Sequence, residues 1–489
     1  MTTCDPTRRR LLGAAAAAPL LAFPALGLGQ SGDERTTLRA ARTRITLLGE
    51  PWPDTDAWTF NGSAPGPLLR VRQGETLRVA VQNELDDPTT VHWHGLRLPN
   101  AMDGVPHVTQ PPIAPRGGAF DYAFACPDAG TFWYHPHASS HVQVEMGLYG
   151  ALIVDEPSPP PVDRDLLWVL DDWRLRRDGS ISTDFGAMFD AAHAGRLGNT
   201  VTLNGSLPDR IEVLAGERIR LRLLNVANAR IFALRFTGHA PTVVAHDGMP
   251  CTPYAPEGGL VLLGPGMRAD LILDMTGDPG DAARVIDEFA AREAYELVTL
   301  AYAPGRRARP AALTSRVALP PNPVPAPDLA NAVRHRIVFS GGMGGMMGGG
   351  MGGTMGGGMG GTMGRGMGGM TGGGMDGMRH VWTINGRSAT EDDHAHVPLL
   401  TLDRDTTVVL ELVNDTNWWH PIHLHGHSFR ILSRDGRALP RSIVADTSLL
   451  PPRGRAEVAF VADNPGDWMF HCHVLEHQAS GMMATLRVG

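Results

Sequence analysis

Four times this chain sets two histidines one residue apart: His92 and His94 in HWHG, His135 and His137 in HPH, His423 and His425 in HPIHLHG, and His471 and His473 in HCH. Residues i and i+2 of a strand project to the same face, so each pair becomes a two-imidazole claw when its segment is extended. In the last pair the enclosed Cys472 points the opposite way. One strand can therefore face a multi-histidine site on one side and a thiolate site on the other. His420, at the head of its motif, joins Cys472, His477 and Met482 in a set of two imidazoles, a thiolate and a weak axial thioether, the donors of a blue-copper electron-transfer centre. A lone His-x-His pair is ordinary surface or core chemistry. Four pairs, one wrapped around a cysteine, predict metal. Zinc is the alternative ion, but this mix of thiolate, imidazole and thioether favours copper.

The rest of the sequence supplies strands to carry the claws. Segments such as ETLRVAVQN, ERIRLRLLNV, ADLILDM, TTVVLELVN and RAEVAFVAD alternate or run apolar over short spans between Gly, Pro, Asn and Asp. That spacing predicts an all-β chain of sandwiches or barrels. The 489 residues suggest two to four domains. Proline-rich stretches at 155–163 and 304–328 read as semi-rigid linkers and divide the chain into blocks 36–157, 162–305 and 331–489. Each block has a strand, an Asn-Gly turn and further strands, a weak internal repeat. At the N-terminus, Arg8 and Arg9 precede a short apolar run, so 1–29 reads as a twin-arginine-type export signal. No segment is long enough for a permanent membrane span. A net charge of −8 argues against a nucleic-acid partner. Beyond the signal three cysteines remain; Cys126 and Cys251 are the two that could form a disulfide in an oxidising compartment.

With these motifs in order, the chain over 36–489 resembles the multicopper oxidases, that is laccases and, more closely, the bacterial periplasmic cuprous oxidases. The resemblance implies three cupredoxin-like Greek-key β-sandwich domains and four copper ions. It assigns His420, Cys472, His477 and Met482 to type 1 copper, and His92 and His423 to type 2. His94, His135, His137, His425, His471 and His473 then hold the type 3 pair. It implies electron transfer through Cys472 to its flanking histidines, with O2 reduced to water. It also implies a proton role for Asp103, which without it would read as an Asp-Gly turn residue. Asp446, in VADTS, matches an Asp-Thr of the family and reads as structural or as a neighbour of type 1. The chain departs from the cuprous oxidases at two places. Thr416 and Trp418 stand where those enzymes carry Asp and Met before HP, which puts their structured Cu(I) site in doubt. Gln478 stands where they carry a proton-delivering Glu, and Glu476 is the neighbouring acid.

One stretch needs its own reading. Residues 341–378 contain 11 Met and 22 Gly, with Met351, Met355, Met359, Met363 and Met367 every fourth position. Glycine costs about 1 kcal/mol per helical residue relative to alanine, so an isolated helix is not expected. Thioethers select Cu(I), which makes the tract a candidate site for extra Cu(I) rather than a plain linker. The resemblance places such an insert in the third domain over the type 1 site. The expected function is a monomeric periplasmic enzyme for copper tolerance that oxidises Cu(I) at the expense of O2. The alternative is a general laccase acting on phenols and aromatic amines. A non-catalytic copper store is disfavoured by the complete ligand set.

Overall fold

The computed structural model describes residues 35–308, 317–342, 380–390 and 397–489. The expected signal at 1–29 lies outside the described residues, as does the Gly/Met insert beyond Gly342. The architecture is all-β. Six sheets form three cupredoxin-like sandwiches in chain order. Among the described residues the helices are single short turns, such as Ser140–Gln143, Met188–Ala192 and Leu475–Ala479. No described helix is long and apolar enough to cross a membrane.

The faint sequence repeat corresponds to a joint built three times. In each domain the first long strand runs parallel to a later one: Thr36–Ile45 beside Thr76–Asn83, Arg164–Trp173 beside Arg218–Asn225, and Val333–Gly341 beside Thr407–Asn414. The Asn-Gly turn closes against that first strand. Asn61, Asn204 and Asn385 take left-handed φ values of 56°, 53° and 49°, which asparagine tolerates better than most residues. Their Oδ1 atoms accept the backbone N–H of Arg39, Val169 and Val338. Their Nδ2 groups donate to the carbonyls of Thr37, Leu167 and Arg336.

Strand alternation fills the cores. In Thr76–Asn83, Leu77, Val79 and Val81 are buried while Arg78 and Gln82 face out; each such burial contributes about 1.5–3 kcal/mol. The first and third domains share one continuous core, which includes Trp93, Trp382 and Trp468, whereas the middle domain has its own. The functional residues lie at the seam between the first and third.

Two expectations are corrected. The described part of the 304–328 linker is a packed strap. Val317 and Leu319 bury against Val244, Ala245 and Ile272 of the middle domain. Asn322 then exchanges hydrogen bonds with the Ala129 backbone N–H (2.9 Å) and carbonyl (2.8 Å) of the first. Apolar side chains between the prolines give it something to bury. Cys126 and Cys251 are free thiols. Cys126 lies in the core shared by the first and third domains, and Cys251 sits on Met249–Tyr254 of the middle one. Burial pushes both thiols up to about 12.

Candidate metal centres

Strand pairing brings the claws together. His92–His94 lies antiparallel to Gly130–His135 with His92 opposite His135. His420–Leu424 lies antiparallel to Gly466–Cys472 with His423 opposite His471. The two claws of the first domain thus meet the two of the third. Ligand atoms of His92, His94 and His135 lie within 4.8 Å of one another, as do those of His92, His423 and His425, and those of His137, His425 and His471. His473 completes the group, its ring 4.9 Å from His94 and 5.4 Å from His135. All eight histidines are at most 1% exposed.

Six of the eight rings are turned by a hydrogen bond on one nitrogen. Nδ1 of His92, His135, His423 and His471 meets the carbonyls of Asp103 (2.8 Å), Pro136 (2.9 Å), Asp446 (3.0 Å) and Cys472 (2.9 Å). Nδ1 of His425 lies 2.8 Å from Asp103 Oδ2, and Nε2 of His94 lies 3.2 Å from Asp446 Oδ1. Nitrogens that face acceptors carry the proton, so the opposite nitrogen holds a lone pair. Those opposite atoms, Nε2 of His92, His135 and His423 and Nδ1 of His94, are buried without hydrogen-bond partners. Leaving a buried polar atom unsatisfied costs about 1–3 kcal/mol, and four converging lone pairs are what a cation would satisfy. Burial, together with the neighbouring imidazoles, holds His94, His135, His425 and His473 well below the ordinary histidine range. They are neutral, as ligands must be.

On the opposite face of the same strand, Cys472 Sγ lies 3.5 Å from His420 Nδ1 and 3.7 Å from His477 Nδ1, and those nitrogens are 3.2 Å apart. The outward nitrogens are capped. His477 Nε2 donates to the His193 carbonyl at 2.7 Å, and His420 Nε2 lies 2.8 Å from Thr416 Oγ1, whose hydroxyl donates to Asn414. The Val474 N–H points at Cys472 Sγ at 3.4 Å. Met482 is fully buried; its N–H donates to the His477 carbonyl and its own carbonyl accepts the Cys472 N–H. Burial pushes the Cys472 thiol up and holds His477 down at about 3. A soft cation bound here would favour the thiolate. Trp382 closes the cluster, its ring 5.1 Å from His420 and 4.4 Å from His477.

The sequence-predicted residues therefore gather into two centres joined by His471-Cys472-His473. Asp103 reaches the first of them, with Oδ2 at His425 and Oδ1 3.3 Å from His92 Nδ1. Asp446 is relocated: it lies against His94 and His423, not beside the Cys472 cluster. Burial alone would raise its carboxyl; Arg268 and His423 outweigh that and hold it well below the usual range. Asp247, behind it, is pushed up to about 7 by burial and by Asp446. Arg268 and Asp247, from the middle domain, were not legible as site residues. Glu476 turns away from the histidines to the Gly186 N–H, and burial raises it to about 7.

Three models described as multicopper oxidase match residues 40–159, 165–297 and 370–489. The chain belongs to the multicopper oxidase family. It is 32% identical to multicopper oxidase MmcO of Mycobacterium tuberculosis, over 92% of this chain and 86% of that protein. It is 28% identical to Laccase-2 of Botryotinia fuckeliana, over 87% and 77%. The crystal structure of a multi-copper oxidase from Pseudomonas thermotolerans matches with a TM-score of 0.80 at 35% identity, over 93% of this chain and 99% of that one. As a family member this multicopper oxidase is an oxidoreductase with O2 as acceptor, and its two histidine centres fit copper.

Proposed function

We propose that this multicopper oxidase couples one-electron oxidation of Cu(I) to four-electron reduction of O2 to water, as an exported, monomeric enzyme of copper tolerance. On this reading His420, Cys472, His477 and Met482 would hold type 1 copper, and His92 and His423 would hold type 2. His94, His135, His137, His425, His471 and His473 hold the type 3 pair. Copper at these positions would supply the one-electron chemistry that links a reductant to O2. The chain supplies the rest. Cys472 shares peptide bonds with His471 and His473, so the connection between the centres is covalent and short. Asp103 holds the Nδ1 proton of His425 and sits sealed beside His92, which makes it the acid placed to pass on the protons that O2 reduction consumes.

The Cu(I) reading is carried by where the Gly/Met insert starts and ends. Gly341 pairs with Trp382 across adjacent strands. A Cβ on Gly342 would lie 2.5 Å from the Trp382 ring, the ring that covers His420 and His477. Gly342 before the Met-rich stretch 343–379 and Trp382 just after it thus both lie beside the proposed type 1 centre. Thr416 keeps the contact to His420 Nε2 but brings no carboxylate, so Cu(I) capture falls to the methionines. The twin-arginine-type leader supports a periplasmic location.

A second reading, a laccase for phenols and aromatic amines, is favoured by the rings at the other cap. Phe189 is 69% exposed and stacks on His193 at 4.2 Å and 19°. His193, whose carbonyl holds His477, meets Trp418 edge-on at 5.2 Å. O2 uptake by the copper-loaded protein, intact and with 343–379 deleted, separates the two. Loss of Cu(I) turnover with phenol oxidation retained supports the first reading. Unchanged Cu(I) turnover makes the insert incidental and puts the laccase first.

A further inference from the structure

We propose that Arg268, from the middle domain that contributes no histidine to the centre, is the positioning residue that fixes the tautomers of His94 and His423 and so the donor set of the eight-histidine site. This rests on the copper reading of that site.

Every N–H of the guanidinium is spoken for. Nε donates to the Thr131 carbonyl at 3.1 Å, Nη1 to the Gly266 carbonyl and Asp446 Oδ1 at 3.0 Å each, and Nη2 to the Asp247 carbonyl at 3.0 Å and Asp446 Oδ2 at 2.6 Å. Five donors on five acceptors, in a planar fork, leave no rotational freedom. The acceptors come from all three domains. Asp446 is held by the bidentate fork as a carboxylate, with no proton of its own to give. Its Oδ1 lies 3.2 Å from both His94 Nε2 and His423 Nδ1. Each histidine must place its N–H on that side. The lone pairs are then forced onto His94 Nδ1 and His423 Nε2, the two atoms left without hydrogen-bond partners.

The backbone is cut away to admit this arrangement. A Cβ on Gly95 would lie 2.2 Å from Arg268 Nη2 and 2.4 Å from Asp446 Oδ2. A Cβ on Gly266, two residues before the arginine, would lie 2.8 Å from His473 and 3.0 Å from His94. Asp247 locks the frame, accepting the N–H groups of Arg268 (2.8 Å) and Thr447 (3.1 Å).

An internal control separates positioning from simple stapling of domains. Arg220, equally buried, bonds Glu156 of the first domain and Asp270 of the middle one, and among the described residues no hydrogen bond joins it to a histidine. The test compares full-length Arg268→Met, Arg268→Lys and Arg220→Met after loading with copper. It reads copper per chain, the type 2 electron paramagnetic resonance signal, the type 1 blue band and the Tm of the apo-protein. Arg268→Met is expected to keep the blue band, which reports a folded third domain. It should bind copper at the eight-histidine site about 10–100-fold more weakly, with an altered type 2 signal. Arg268→Lys, a point charge without the fork, should fall between. Arg220→Met should lower Tm only. Wild-type copper content and type 2 signal in Arg268→Met, or the same losses in Arg220→Met, would overturn the proposal. If Arg268→Met yields no blue band, Arg268→Lys decides: a wild-type signal overturns it and an altered one supports it. Wild-type protein that takes no copper at this site would sink the ligand reading itself, and this proposal with it.

Discussion

Two centres stand back to back across Cys472, and they are built differently. The eight-histidine centre is spread over two domains, which supply Asp103 and Asp446 beside it, and is braced from the middle domain by Arg268 and Asp247. The Cys472 cluster draws its donors from one domain, and its partners are neutral: the Thr416 hydroxyl, the His193 carbonyl, the Val474 N–H and the Trp382 ring. In a low-dielectric interior fixed charges act strongly. A centre that handles O2 and several protons benefits from them. A centre that only exchanges an electron benefits from a dry, rigid, neutral shell, where a change of one charge meets little reorganisation.

Cys472→Ser tests whether the centres are separable. Turnover with Cu(I) and with phenol should fall to background and the blue band should vanish, while copper at the eight-histidine site stays. Loss of that copper as well would mean the two are one cooperative unit. Asp103→Asn keeps the shape but removes the acid. O2 reduction should fall about 10–100-fold, whereas anaerobic bleaching of the blue band by a phenol should proceed at the wild-type rate; slowed bleaching would break the division of labour. Thr416→Val strips the acceptor from His420 Nε2. The imidazole becomes a poorer donor to Cu(II), so the type 1 potential should rise by some tens of millivolts, the equivalent of about 1 kcal/mol. A redox titration of the blue band measures it, and an unchanged potential would show that the shell does not tune the metal.

A separate effect concerns a histidine outside both centres. Burial holds His246 down at about 4, against an ordinary 6.5. Between those values the unfolded chain binds a proton that the folded one refuses, so stability is lost as pH falls from about 6.5 to about 4, by at most about 3 kcal/mol. In copper-loaded protein the ligand histidines cannot take protons. His246→Gln should therefore reduce, without abolishing, the remaining dependence of Tm on pH over that window, because burial also holds His141 and His427 down at about 4. An unaltered slope would show that His246 does not carry the acid sensitivity and leave it with His141 and His427.

What the sequence revealed follows the same division. The claws are legible because i and i+2 in a strand fix a common face, and the Asn-Gly joints because Asn61, Asn204 and Asn385 each combine a left-handed turn with a side chain short enough to clasp its neighbour. Thr416 could be noticed because it lies four residues from His420. Arg268 could not. Only Gly266 among its partners is local; Thr131, Asp247 and Asp446 come from three separate stretches, and nothing nearby marks an arginine in LGPGMRAD as different from any other. Asp446 showed itself only as a motif, and its placement needed the pairing of His420–Leu424 with Thr447–Leu450. The free thiols of Cys126 and Cys251 make the converse point: two cysteines of suitable count belong to different domains.

His92, His94 and His135 bring their ligand atoms together within the first domain alone. A chain made from its N-terminus delivers that domain before the third exists. During synthesis, then, the three imidazoles are made while their partner histidines and Asp446 have yet to be. Three histidines with a free fourth position suit Zn2+. The order in which the ribosome delivers these strands puts a zinc-type ligand trio in the chain before the residues that complete the copper set.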